Sequence, residues 1–180
     1  QYWSTTNLKV TKYRDGTAIP TGHSGSEWVS LSTGAYSVFP AGYNWGTPCG
    51  DNCADVYGNL YNWYAVDDSR GLAPEGWHVP TDAEWTTLID YLGGASVAGE
   101  KMKATTSWDG REGSNGTNES GFTGLSGGWR MGGYGGGNGS YTSMGLSGMF
   151  WSSTEIQGGT AWDGSNKSYW YKLYDDQNDA

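Results

Sequence analysis

The chain has 180 residues, with 19 acidic against 10 basic side chains and a formal net charge of −9. Because a polyanion needs a cationic face and the sequence has no basic cluster, this composition argues against nucleic acid and anionic membranes as partners. No apolar run is long enough to span a membrane. The length predicts a single domain over residues 1–180, and 11 Trp with 13 Tyr supply enough large side chains for a compact core.

The N-terminal part of the chain has a β-type pattern. Runs rich in aromatic and β-branched side chains cover residues 2–6, 8–13 and 35–39, and they predict short strands. Asp15-Gly16 is a dipeptide typical of tight turns, so the chain is expected to reverse there.

The middle of the chain contains the helix signals. Thr81 and Glu84 have the spacing of a capping box, and Pro80 blocks extension toward the N-terminus. Apolar residues then follow at the spacing of one helical stripe: Trp85, Leu88, Ile89 and Leu92. A second helix is predicted from about residue 54 to 65, and further helical turns over 96–103.

The C-terminal part returns to short aromatic runs separated by glycine. Residues 129–131, 149–153 and 169–174 predict strands, and the last run alternates as a strand should. Strands, then helices, then strands and long loops are the pattern of an α+β fold.

Cys49 and Cys53 enclose three residues and allow three interpretations: a disulfide, half of a metal site, or two thiols. A metal site needs further ligands, and the two histidines, His23 and His78, have no spacing that supports one. A Trp-rich and Gly-rich secreted domain favours the disulfide.

Residues 57–66 and 76–85 closely resemble the signature of the Fibrobacter succinogenes major paralogous domain family. Further motifs match in the same order: Asn7-Leu8-Lys9, Asp15-Gly16-Thr17, Asn118-Glu119-Ser120-Gly121-Phe122, Gly127-Gly128-Trp129-Arg130 and Phe150-Trp151-Ser152-Ser153. The resemblance covers nearly the whole chain. It implies a secreted or surface-attached bacterial protein, and hence an extracellular location.

The helix motif at residues 80–85 is also similar to the Pro-Thr-x-Ala-Glu-Trp motif of the formylglycine-generating-enzyme group. Through that similarity a C-type-lectin-like fold is implied. Such a fold has two short helices flanking small, mainly antiparallel sheets, with long Gly-rich loops.

The chain departs from the family pattern at three places. Relatives usually have a strand before Tyr2 and a final strand that carries a cysteine, and they usually have cysteine at the position of Ala73. Two explanations fit these departures: a lineage that has dispensed with the bridge, or a sequence that is incomplete at both ends. The first explanation predicts a domain without the flanking terminal strands. An exposed sheet edge would follow, and exposed edges invite pairing with another chain.

Catalytic chemistry has little support in the sequence. Cys49 and Cys53 do not match the cysteine position that the resemblance to formylglycine-generating enzymes would require. Glu84 is explained as a cap, Glu119 as a turn residue, and Asp82 by the favourable first turn of a helix. We predict that the protein is not an enzyme and needs no cofactor.

Two sets of polar residues are weaker candidate sites. The acidic C-terminal segment lacks the spacing of a calcium loop, so a solvated tail is favoured over calcium binding by Asp175, Asp176, Asn178 and Asp179. Four Asn-x-Ser/Thr sequons are candidate glycosylation sites. They begin at Asn115, Asn118, Asn138 and Asn166.

Two functions remain after enzymes are ranked last. The first is a structural surface subunit that self-assembles into a fibril or layer through a sheet edge or strand exchange. The second is a carbohydrate-binding or adhesion module, in which sugar rings stack on exposed aromatic faces. Its candidates are Trp108, Tyr134 and Tyr141, whereas Trp129 and Trp151 lie in strand-like runs and are expected to belong to the core.

Overall fold

The structure, a computed structural model, describes residues 1–42, 49–108, 116–133, 137–156 and 168–174. Its helices are short and its sheets small, and the protein has a mixed α+β fold. The helices are α1 (Gly25–Ser30), α2 (Cys53–Tyr57), α3 (Trp63–Val66), α4 (Asp82–Tyr91) and α5 (Ala95–Met102). The strands are β1 (Tyr36–Ser37), β2 (Leu60–Tyr61), β3 (Gly127–Arg130), β4 (Tyr141–Met144), β5 (Ser147–Glu155) and β6 (Ser168–Tyr174). No helix in the described ranges is both long enough and apolar enough to cross a bilayer.

The described strands form two sheets. β1 and β2 make a small antiparallel ladder, and the larger sheet has the order β4-β3-β5-β6. In the larger sheet β3 runs parallel to β5, whereas the β3–β4 and β5–β6 pairs are antiparallel. The ladder between β5 and β6 extends from Ser147↔Tyr174 to Glu155↔Ser168. The C-terminal aromatic runs therefore form the strands that the sequence predicts.

Helix α4 begins with the predicted capping box. The Thr81 N–H donates to Glu84 Oε2 at 2.8 Å, and the Glu84 N–H donates to Thr81 Oγ1 at 3.3 Å. Trp85, Leu88 and Ile89 of the predicted stripe are buried. Helix α5 follows directly and confirms the further helical turns.

The main hydrophobic core joins these helices to the sheet. Its buried side chains are Trp85, Leu88, Ile89, Leu92, Ala98, Met102, Trp108 and Leu173. Trp85 stacks on Tyr171 of β6 with ring centres 4.9 Å apart. Its indole N–H donates to the carbonyl oxygen of Trp151 at 3.2 Å. Helix α4 thus covers one face of β5 and β6.

The helix predicted over residues 54–65 is wrong as a single element. The chain instead forms α2, breaks at Gly58, pairs β2 with β1, and then forms α3. Gly58 has a φ of 75°, and a Cβ there would lie 2.7 Å from both Asn7 Cβ and the Leu8 oxygen. The helix therefore ends where the N-terminal segment passes close to it.

The N-terminal β-type runs form less sheet than predicted. Residues 2–6 form no strand, and the run over 8–13 contributes only an isolated Lys12↔Ala18 bridge. The third run is reduced to the two residues of β1. The predicted turn between Lys12 and Ala18 is confirmed, and Gly16 adopts a φ of 87° within it. Short isolated runs lack the neighbouring strands that a sheet requires.

Acidification is expected to weaken the start of α4. Hydrogen bonds from Thr81, followed by the contact with His78, lower the pKa of the Glu84 carboxyl from its ordinary value. Because the folded state favours the ionised carboxylate, this stabilisation is present above the ordinary pKa and is lost as the pH falls through the lowered one. We expect Glu84→Gln to melt a few degrees below the wild type at neutral pH, with the gap closing in acid. Thermal denaturation across pH measures this gap, and a gap that stays constant would contradict the expectation.

Candidate functional site

A large open trough of about 1790 Å³ lies in the described surface. An ordinary ligand pocket has a volume of about 300–1,000 Å³, so the trough is large enough for a segment of a polymer. Its walls include residues 1–4 and 6–10, parts of α1, residues 57 and 59–64, and the strands β3, β5 and β6. Among its lining residues are many tryptophans: Trp3, Trp28, Trp63, Trp77, Trp85, Trp129, Trp151 and Trp170. We call it the aromatic trough.

One face of β5 and β6 lines the trough with aromatic and basic side chains. Successive side chains on a strand point to opposite faces. Trp151 pairs with Trp170 and Met149 pairs with Lys172, so these four residues share a face. All four line the trough, whereas the opposite face carries Tyr171 against α4.

The N-terminal segment is held against the trough by backbone and side-chain hydrogen bonds. The Asn59 N–H donates to the Leu8 oxygen at 2.9 Å, and the Tyr61 hydroxyl donates to the Val10 oxygen at 2.7 Å. Asn7 Nδ2 donates to the Tyr57 oxygen at 2.8 Å. Residues around the α2–β2 junction therefore hold the N-terminal segment in place as one wall of the trough, although the two regions lie far apart in the sequence.

Indole contacts connect this wall to the sheet. Trp151 Nε1 donates to the Tyr61 oxygen at 2.9 Å, and the rings of Trp151 and Trp63 lie 6.0 Å apart. The Trp129 indole nitrogen is buried, and no described residue accepts a hydrogen bond from it.

Two basic side chains of the trough lie over aromatic rings. Lys172 Nζ is 4.1 Å from the ring centre of Tyr174 and 5.8 Å from that of Trp129. The Arg130 guanidinium lies 4.4 Å from the ring centre of Trp28, and burial lowers the pKa of this arginine. Within the described ranges neither cation forms an ion pair with a carboxylate.

A polar cluster of His78, Thr81 and Glu84 lies where α4 borders the trough. His78 Nε2 contacts Glu84 Oε1 at 2.9 Å and Oε2 at 3.0 Å. The same Glu84 carboxylate accepts from Thr81 as the capping group. This carboxylate is therefore committed to the fold, in agreement with the assignment of Glu84 as a cap.

No group of three or more His, Cys, Asp or Glu side chains that could hold a metal ion occurs among the described residues. The calcium candidates Asp175, Asp176, Asn178 and Asp179 lie outside the described part of the chain. Calcium binding by these residues stays a prediction.

The two predicted glycan-binding residues that the structure describes, Trp108 and Tyr141, lie in different clusters and do not form one site. Trp108 is 3% exposed and belongs to the main core, so it offers no free face to a sugar. Tyr141 is half-buried on β4, with its ring centre 5.2 Å from that of Phe39 and beneath the Arg130 guanidinium. Tyr134 lies outside the described residues.

Several trough residues lie in sequence contexts that indicate a core strand or that carry no clear signal of a site. Trp129 and Trp151 line the trough although their strand-like context suggested the core. Trp170, Lys172 and Tyr174 also line the trough, and no motif marks them as a site. The strict alternation of residues 169–174 was the available signal, because it places these three side chains on one face.

The sequons differ in how the fold uses their asparagines. Asn118 Oδ1 accepts from the Thr123 N–H at 2.8 Å, and its Nδ2 donates to Thr123 Oγ1 at 3.1 Å, so this amide is already engaged. Asn138 is exposed and accepts from the Ser140 N–H at 3.1 Å. Glycosylation stays a prediction at these positions. Two further sequons lie outside the described residues: Asn115 and Asn166.

The two cysteines are bonded to each other, which confirms the predicted Cys49–Cys53 disulfide. Cys53 is buried at the start of α2. Asn52 caps this helix by accepting from the Ala54 N–H at 3.3 Å. The bridge therefore closes a short loop directly before the helix that supports one wall of the trough.

Comparison with known proteins gives one family. No curated protein and no solved structure matches the chain. A family model described as the Fibrobacter succinogenes major domain matches residues 1–179. The match covers nearly the whole sequence, and the chain belongs to the Fibrobacter succinogenes major domain family.

Proposed function

We propose that the protein is a non-enzymatic extracellular structural subunit that assembles with copies of itself through an edge of its larger sheet. The observation that supports this best is the position of β6. The strand is bonded to β5 on one side, and no described strand pairs with its other side. A neighbouring copy that adds a strand here would generate an open-ended assembly.

The composition of β6 suits such pairing. The strand spans seven residues and has four aromatic side chains and a single charge, that of Lys172. Edge strands that remain solitary are usually short, or carry charges or proline that blunt pairing. β6 contains no proline, so it has little protection against another strand.

The fold inferred for this subunit is C-type-lectin-like. Support comes from the consecutive helices α4 and α5, their packing against β5 and β6, and the small separate sheets. The extracellular location is supported by the Cys49–Cys53 disulfide, since disulfides persist mainly in oxidising compartments.

The first test changes the exposed Tyr169 of β6 to lysine. Tyr169 is 45% exposed, so the substitution leaves the core intact and adds the charge that natural edge strands use against pairing. We expect the concentration needed for assembly to rise about tenfold, which corresponds to about 1.4 kcal/mol per contact. Electron microscopy with sedimentation of the wild type and Tyr169→Lys measures the change.

The matched control is Tyr91→Lys. Tyr91 is 86% exposed at the end of α4, so the same change of charge is made away from the sheet edge. This variant should assemble like the wild type. A wild type that stays monomeric at every concentration would contradict the proposal, and so would equal effects of the two substitutions.

Carbohydrate binding or adhesion is the second candidate function. The observation that favours it is the aromatic trough, in which five tryptophans keep part of their surface exposed for the stacking that sugar rings require: Trp3, Trp77, Trp129, Trp151 and Trp170. Its other tryptophans, Trp28, Trp63 and Trp85, are buried and belong to the packing beneath it. The two functions are compatible. Tyr169, which the assembly test changes, and Lys172, which lines the trough, project from opposite faces of β6.

A further inference from the structure

The described residues that line the aromatic trough carry more basic than acidic side chains, whereas the whole chain is acidic. The sequence has 19 acidic and 10 basic side chains. Among the described lining residues the basic ones are Lys9, Arg130 and Lys172, and the acidic one is Glu84. Because clefts focus the field of the charges that line them, the trough favours anions although the protein is acidic.

These charges also differ in how free they are to meet a ligand. Glu84 is occupied by Thr81 and His78, and Lys9 lies 3.8 Å from Asp55 in an exposed pair. Lys172 lies over the rings of Trp129 and Tyr174, and no carboxylate of the described chain is within ion-pairing distance of it. Its ammonium is therefore the cation most available to an anionic partner.

The surroundings of Lys172 are suited to a sugar ring. Trp170, two residues away on the same strand face, and Trp129 on β3 line the trough with it. Each of these residues is partly exposed. A pyranose ring can stack on an indole face while a carboxylate on the ring meets the ammonium, since charge-assisted hydrogen bonds are the stronger class.

We propose that the aromatic trough binds an acidic oligosaccharide, with the rings of Trp129 and Trp170 as stacking surfaces and Lys172 as the group that recognises a sugar carboxylate. The size of the trough fits several consecutive sugar residues rather than a single one. Arg130 adds positive charge nearby while remaining fixed by its hydrogen bonds to the Gly139 and His23 oxygens.

The test uses uronate oligosaccharides from pectin, alginate and hyaluronan, each paired with its methyl ester. The ester keeps the rings and the linkages but removes the negative charge, so it isolates the role of the carboxylate. Calorimetric titration of the full chain should show binding of at least one acid form and weaker binding of its ester. The affinity for the acid form should fall as salt is added, because exposed charges are screened.

Three variants identify the residue responsible. Lys172→Met keeps the apolar stem and should weaken binding of the acid form about tenfold, with little effect on the ester. Lys172→Arg keeps the charge and should retain binding. Lys12→Met removes an exposed cation that is not among the trough residues, and it should leave binding unchanged.

The outcomes separate this inference from self-assembly. The inference is overturned if no acid form binds, if acid and ester bind equally, or if Lys172→Met binds like the wild type while its circular dichroism is unchanged. If Lys172→Met alters assembly but not sugar binding, the trough accepts a neighbouring chain instead. Tyr169→Lys should keep its sugar affinity even where its assembly fails.

Discussion

Replacing Trp85 by alanine is expected to lower the free energy of unfolding by about 3–5 kcal/mol. Trp85 is 2% exposed, and four aromatic rings surround it. Their centres lie 4.8 Å away for Trp3, 4.9 Å for Tyr171, 5.8 Å for Phe122 and 6.0 Å for Phe150. Removal of the indole leaves a cavity between the helix, the sheet and the N-terminal segment, and it also removes the hydrogen bond to the Trp151 oxygen.

The expected loss is a large part of the stability of a domain, which is typically about 5–15 kcal/mol. Denaturant unfolding of Trp85→Ala measures it directly. Trp77→Ala is the matched control, because Trp77 is 46% exposed and should cost about 1 kcal/mol or less. Equal losses in the two variants would mean that the aromatic cluster around Trp85 does not hold the helices to the sheet.

The elements that the sequence predicts correctly are those with local signals. Helix α4 has its capping box and apolar stripe within a dozen residues, and β6 has strict alternation. The same reasoning could have found α1, because Ser24 and Glu27 form a capping box of the same kind. Helix α1 is only six residues long and buries only Trp28, so it shows no apolar stripe.

The elements predicted wrongly depend on contacts between distant parts of the chain. Apolar spacing over residues 54–65 favours one helix, yet Gly58 must accommodate the passing N-terminal segment. Residues 2–6 have strand-like composition, but no strand of the described chain pairs with them. Propensity is a weak guide when such tertiary contacts compete with it.

The candidate site shows the same division. Alternation in β6 indicates that Trp170 and Lys172 share a face, but it does not indicate which face α4 covers. That depends on the packing of Trp85 against Tyr171, and these residues lie far apart in the sequence. Aromatic residues in strands were therefore assigned to the core, although half of such a strand faces the trough.

Replacing Gly128 by alanine is the second change with a large expected effect. Gly128 lies in β3 with a φ of 64°, a conformation that L side chains rarely adopt. A Cβ at this position would collide with the Thr142 oxygen, and it would lie 2.7 Å from the Met144 nitrogen and 2.9 Å from Phe39. Because two of these atoms belong to the backbone of β4, the clash can be relieved only by moving one strand. We expect a loss of about 3 kcal/mol or more.

Gly121→Ala separates the collision from the backbone strain. Gly121 has a φ of 71°, and its added Cβ would meet nothing within 4 Å, so it should lose only about 1–2 kcal/mol. Denaturant unfolding compares the two variants, and equal losses would show that backbone strain rather than the collision causes the loss of stability.

A shift of β3 would also move Trp129, which is adjacent to Gly128 and lines the trough. Gly128→Ala should therefore weaken binding of acid and ester sugars alike, whereas Lys172→Met discriminates between them.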